Sequence, residues 1–233
     1  MDGQIAIASR ACQPRPFGVT AQAMRGFGNL VEGYRRFRSN RYEVEKGRWK
    51  HLVEGQTPRA LIIACCDSRA DPATIFDSDP GEIFVVRNVA NLVPPYEANG
   101  GRHGVSAALE FAVTQLQVPE IVVMGHEKCG GISAALTGRF HDAPAGEGGF
   151  IHRWMSQIDE PAQAIVHEHG TGPEAQRLLE EAAIRQSMAN LRTFPFVAER
   201  EQKRSLVVLG CHFSIRDGEL WVLDEAEGAF RPV

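Results

Sequence analysis

At 233 residues, with 43% hydrophobic and 23% charged side chains, the chain has an ordinary globular balance and enough length to bury a substantial core. A formal net charge of −4 excludes the basic footprint of a nucleic-acid binder or of a protein drawn to an anionic membrane surface. No apolar run approaches the roughly 20 residues of a membrane span, and the N-terminal stretch lacks the pattern of a secretory signal. The expectation is a soluble, cytoplasmic protein with a small or neutral partner.

Residues 1–20 mix Gly, Pro, Arg and small side chains without a period, so a poorly ordered arm or a leftover leader is expected there. From Ala21 to Gly55 the pattern turns helical, with Leu30, Tyr34 and Phe37 on one stripe and a second segment over Tyr42 to Glu54. Such an arm covers the sheet of its own domain or reaches a neighbouring subunit. Leu61 to Ala64 reads as a buried strand that runs directly into Cys65-Cys66-Asp67-Ser68-Arg69. Continuing the period of two puts Cys65, Asp67 and Arg69 on one face, with Cys66 and Ser68 on the other. Asp71-Pro72 then starts a short helix to Phe76, Asp as N-cap and Pro in the first turn.

Pro80-Gly81 precedes a second strand, Glu82 to Arg87, and an irregular loop runs from Asn88 to Tyr96 through Pro94-Pro95. Val105, Ala108, Leu109, Ala112, Val113 and Leu116 recur at helical spacing as one apolar face, which Pro119 ends. Ile121 to Met124 is an apolar strand delivering Gly125-His126, and Gly130-Gly131 opens a helix to Leu136. A Gly-rich surface loop over 138–149 leads to helical segments at 150–168 and 173–192. Leu206 to Leu209 is a further strand, and the turn Arg216-Asp217-Gly218-Glu219 folds it back onto Leu220 to Leu223. Alternating strands and helices predict one α/β domain, a helical arm at 21–55 ahead of a core at 56–233. Its mostly parallel sheet is flanked by helices and carries an antiparallel C-terminal edge.

Ligands on such sheets bind beyond the carboxyl ends of the strands, where Cys65 and His126-x-x-Cys129 both fall. The five cysteines, Cys12, Cys65, Cys66, Cys129 and Cys211, are an odd count without the spacing of a disulfide framework. Two thiolates and an imidazole suit tetrahedral zinc, and three protein ligands leave a fourth position open, the mark of a catalytic site. Asp67 can fill that position or act as an acceptor beside it. A bidentate pair with Arg69 would keep the carboxylate ionised and withhold it from the metal.

Cys65-x-Asp67-Ser68-Arg69 with His126-x-x-Cys129-Gly130-Gly131 resembles the zinc signature of the β-class carbonic anhydrases, and the stretch from Pro80 to Pro95 is similar to the same family. The resemblance implies reversible hydration of CO₂ to bicarbonate and a proton. It implies one zinc per chain on Cys65, His126 and Cys129, with Asp67 and Arg69 as catalytic dyad. It further implies Gln56 as an amide donor to bicarbonate, Phe84, Val89 and Phe111 as apolar walls for CO₂, and the Gly130 amide as an oxyanion contact. The expected assembly is a homodimer or a dimer-based tetramer or larger. Ile62 stands where members with an inhibitory bicarbonate pocket carry tryptophan, which favours the open form of the site. Competing readings are the same centre acting on carbon disulfide or carbonyl sulfide, or a closed-shell zinc module in which Asp67 is the fourth ligand. A redox role for Cys65-Cys66 is weaker, because adjacent cysteines make a strained bridge.

Overall fold

A computed structural model describes residues 24–99 and 101–233, so the expectation for residues 1–20 lies outside the described residues. The chain forms two compact units, one ending at Gly55 and one comprising Gln56–Val233. In the first, α1 (Met24–Phe37) passes through a π-helical turn at Arg38–Tyr42 to α2 (Lys46–Glu54). The Phe37 ring sets its edge against Tyr42 and Trp49, with centroids at 6.1 and 5.7 Å, and this packing holds the bend. Phe27, Leu30 and Tyr34 lie along α1 and remain exposed.

The second unit opens with β1 (Ala60–Cys65), α3 (Pro72–Ile75) and β2 (Ile83–Asn88). Asp71 caps α3 by accepting the Thr74 amide at 3.1 Å. After α4 (Gly104–Glu110), which runs on as a π-helical segment to Gln115, come β3 (Glu120–His126) and α5 (Gly130–Leu136). The stretch read as one helix over 150–168 is two, α6 (Gly149–Met155) and α7 (Asp159–His169), separated by a 3₁₀ turn at Ser156–Ile158. Then follow α8 (Pro173–Leu191), α9 (Pro195–Gln202), β4 (Val207–Phe213), β5 (Leu220–Asp224) and β6 (Ala229–Pro232). Sequence pattern does not announce α9 or β6. α9 is two turns long and buries little besides Val197, and β6 is a four-residue edge ending in Pro232.

The six strands lie in the order β2-β1-β3-β4-β5-β6, with the first four parallel and the last two antiparallel. Leu61 and Ile63 of β1 and Ile121 and Val123 of β3 pack with Leu109, Ile184, Met188 and Leu191 on one face. Ile62, Ala64, Met124 and Cys211 occupy the other face, with Ile75 and Phe76 against them. Within this unit that second face also keeps an apolar groove of about 340 Å³ between Ile62, Val122, Leu209 and Val222. Two glycines set how closely α8 lies on the sheet. A Cβ on Gly210 would stand 2.6 Å from Met188 Sδ, and one on Gly125 would stand 2.7 Å from Ile184 Cδ1. The connections from β1 lead first to β2 on one side and then to β3 on the other. This reversal opens a crevice at the carboxyl ends of β1 and β3.

Candidate metal centre

The parallel register pairs Ala64 with Met124, so Cys65 leaves β1 just as β3 delivers His126. Cys129 follows three residues on, at the start of α5. One ligand atom from each of Cys65, His126 and Cys129 lies within 4.8 Å of the other two, and all three residues are buried. Among the described residues this is the one such cluster. The two sulfurs are 3.8 Å apart. Two sulfurs at about 2.3 Å from a tetrahedral zinc are themselves about 3.8 Å apart, so the pair already has the separation the metal requires. His126 Nδ1 sits 2.9 Å from the Glu127 carbonyl oxygen, which fixes the proton on Nδ1 and leaves the Nε2 lone pair facing the cluster. That Nε2 is buried without a hydrogen-bond partner. An orphaned acceptor beside two thiols is a donor set that fits zinc.

The neighbouring thiol of Cys129 holds the Cys65 thiol below its ordinary range, and Cys65 in turn pushes Cys129 up, reinforced by burial. Two negative sulfurs at this distance repel, and a dication between them removes the repulsion.

Beyond Cys65 the strand alternation does not continue. The chain turns at Ser68-Arg69, and it is this turn that unites Asp67 with Arg69. Arg69 donates from Nε to Asp67 Oδ1 at 2.9 Å and from Nη2 to Oδ2 at 2.8 Å, and its backbone N–H adds a bond to Oδ1 at 2.9 Å. These donors hold the Asp67 carboxyl well below the usual carboxylate range. Asp67 Oδ2 stands 4.0 Å from His126 Nε2, at the edge of the cluster. Arg69 Nη2 also donates to the Lys128 carbonyl at 3.1 Å, joining the Asp67 turn to the loop that carries His126 and Cys129. Behind them Arg87 binds the Cys65 carbonyl at 2.9 Å, the Asp67 carbonyl at 2.6 Å and the Asp71 carboxylate at 2.7 Å.

The other residues singled out in the sequence are scattered. Val89 packs in the same cluster as Cys65 and Cys129, and its carbonyl accepts from Trp154 Nε1 at 2.8 Å. Phe84 and Phe111 form a separate ring pair with centroids 5.9 Å apart. Gly130 is exposed as the first residue of α5, and Gln56 is exposed in the irregular stretch before β1. Cys66 is exposed, whereas Cys211 is buried on the opposite sheet face among Ala64 and Met124, where desolvation pushes its thiol up to about 12. The structure adds two residues behind the cluster that motif spacing does not single out, Glu180 and His212. Both are buried, and Glu180 accepts the Cys129 amide at 3.0 Å. The signal was there: Glu180 shares the apolar stripe of α8 with Ile184, Ser187 and Leu191, and His212 interrupts an apolar strand.

Known proteins resemble this chain in sequence and fold. The carbonic anhydrase family model matches residues 60–220. Beta carbonic anhydrase 3 of Arabidopsis thaliana is 37% identical over 201 residues, which cover 84% of this chain and 76% of that protein. Among solved structures, the β-carbonic anhydrase CcaA is 28% identical with a TM-score of 0.82, over 89% of this chain and 92% of that one. A structure from a study of two tetrameric β-carbonic anhydrases of Sordaria macrospora is 27% identical with a TM-score of 0.72, over 85% and 97% of the two chains. With its Cys-His-Cys cluster suited to one zinc ion, the chain belongs to the β-class carbonic anhydrases, the zinc enzymes that hydrate CO₂.

Proposed function

We propose that Cys65, His126 and Cys129 hold one zinc in an open site, and that Asp67 and Arg69 act on the substrate water beside it. Zinc bound there supplies the Lewis acidity that makes water a nucleophile near neutral pH. The two thiolates soften that acidity, which raises the demand on the protein's own groups. Asp67, kept ionised and turned toward Arg69, accepts a hydrogen bond from the attacking water and aims its lone pair at the carbon of CO₂. Arg69 acts through Asp67 and, by its bond to the Lys128 carbonyl, keeps the carboxylate in register with the ligand loop.

The apolar side chains take the other half of the task. Val89, packed with two of the ligands, and the Phe84–Phe111 pair are the apolar walls for CO₂. The Gly130 N–H and the Gln56 side-chain amide are donors for bicarbonate oxygens. The functional unit is a homodimer or a dimer-based assembly, a reading supported by the exposed stripe of Phe27, Leu30 and Tyr34 and by Val85 exposed on the edge strand β2. The Sordaria macrospora relatives are tetramers. Outside the metal set, the free thiols of Cys66 and Cys211 suit a reducing cytoplasm, and no described helix is long and apolar enough to cross a membrane.

The observation that carries this reading is the bidentate Arg69–Asp67 pair, which occupies both carboxylate oxygens at the edge of the cluster. Asp67→Asn removes the charge while keeping the shape. Zinc content should stay at about one per chain while CO₂ hydration, followed by stopped flow with a pH indicator, falls about 100-fold or more. An Asp67→Asn protein that hydrates CO₂ at the parent rate would refute the role.

A further inference from the structure

The loop between His126 and Cys129 contains one peptide group held at both ends. Its oxygen, the Lys128 carbonyl, accepts from Arg69 at 3.1 Å, and its nitrogen, the Cys129 N–H, donates to Glu180 Oε1 at 3.0 Å. Lys128 itself adopts a left-handed backbone, φ +54°, which costs a side-chain-bearing residue about 1 kcal/mol and persists only where the surroundings enforce it. Glu180 is 3% exposed. Its carboxyl receives three donors from three elements: the Cys129 amide at the start of α5, Gln176 Nε2 of α8 at 3.0 Å, and His212 Nε2 of β4 at 3.0 Å. A buried carboxyl with both oxygens engaged has no rotational freedom left, so it transmits the position of α8 and β4 to a single backbone nitrogen.

We propose that Glu180, locked by His212 and Gln176, is a positioning residue for the metal centre: it fixes the peptide that aims the Cys129 sulfur, and so governs how tightly the site retains zinc. The inference rests on the zinc reading above. Glu180 touches neither substrate nor reacting atoms. Its contribution is a rigid ligand, the role that hydrogen-bond partners behind a metal's ligands generally play, and disrupting such partners typically weakens metal binding 10–100-fold. Because Arg69 grips the same peptide group, slack introduced at Cys129 also reaches the Asp67–Arg69 pair.

The test is zinc release from the purified full chain to a chromogenic chelator, with zinc per chain measured first. Glu180→Ala should release zinc about 10–100-fold faster than the parent protein, and Glu180→Gln, which keeps an acceptor for the Cys129 amide, should stay within about threefold. Leu191→Ala removes a fully buried side chain from the same helix but none of these bonds, and it should lower the melting temperature without hastening release. In cobalt-loaded protein, the sulfur-to-metal absorption band should shift in Glu180→Ala and not in Leu191→Ala. If Glu180→Ala does not fold, Gln176→Ala carries the test, with release several-fold faster expected. Parent-like release from Glu180→Ala or Gln176→Ala, or equally fast release from Leu191→Ala, overturns the inference. A parent protein that binds no zinc would instead overturn the metal reading on which it rests.

Discussion

Replacing Arg69 by Gln separates the two things that Arg69 is asked to do. The guanidinium makes two side-chain bonds to Asp67, at 2.9 and 2.8 Å, and one to the Lys128 carbonyl at 3.1 Å, but about half of its surface is in solvent. Solvent screening limits such a pair to roughly 1 kcal/mol of stability. In a chain of this size that is a fall of about 2–4 °C in melting temperature. The catalytic loss should be larger. A released Asp67 still carries its charge at neutral pH but no longer presents an oxygen at a fixed point, and losing a positioned proton acceptor typically costs about 100-fold or more. That is about 2.7 kcal/mol in the transition state, well above the stability change. The assay is stopped-flow CO₂ hydration on protein with measured zinc, run on Arg69→Gln, Asp67→Asn and the double variant. If Arg69 works through Asp67, the double variant will be scarcely slower than Asp67→Asn. Losses that multiply in the double variant, or an Arg69→Gln enzyme with parent activity, would refute the coupling.

Two further predictions concern the scaffold. Gly210→Ala drives a methyl to within 2.6 Å of Met188 Sδ and 2.7 Å of Ile184 Cγ2, so these buried side chains or α8 itself must shift, and chemical denaturation should register a loss of about 1–3 kcal/mol. Arg192 bonds to Glu225 at 2.7 and 2.9 Å and holds its carboxyl below the usual glutamate value. A lowered folded-state pKa contributes stability above the unfolded value and loses it as pH falls through the folded one. Glu225→Gln should therefore cost about 0.5 kcal/mol at neutral pH, a figure discounted for exposure, and nothing once acid has protonated the parent glutamate. A difference between the two proteins that is the same in acid and at neutrality would contradict this.

The parts legible in the sequence were those written in local pattern. Four apolar residues ahead of Cys65 and four ahead of Gly125-His126 mark parallel strands, and parallel strands bring their carboxyl ends together whatever lies between. Asp71-Pro72 declares its helix by capping chemistry alone. What stayed hidden depends on contacts between distant elements or on backbone geometry. Alternation suggested that Asp67 and Arg69 meet as strand neighbours, but they meet across a turn. The loop after β2 reads as irregular, yet α8 satisfies three of its backbone groups: Ser187 Oγ donates to the Asn91 carbonyl at 3.1 Å and accepts the Val93 amide at 3.3 Å, and Asn190 Nδ2 donates to the Val93 carbonyl at 2.7 Å. That support allows Ala90 and Asn91 their left-handed backbones, at φ +63° and +50°. Glu180 and His212 are 32 residues apart in sequence, and only the packing of α8 on β4 reveals what a glutamate is doing on an apolar stripe.

Hydration of CO₂ at an open Cys65–His126–Cys129 centre is the most direct property to measure. Stopped-flow measurement on the parent protein, with zinc determined on the same sample, answers this. The expected result is about one zinc per chain and CO₂ hydration far above the buffer rate from neutral to alkaline pH. Zinc present at that stoichiometry with hydration no faster than buffer would contradict it.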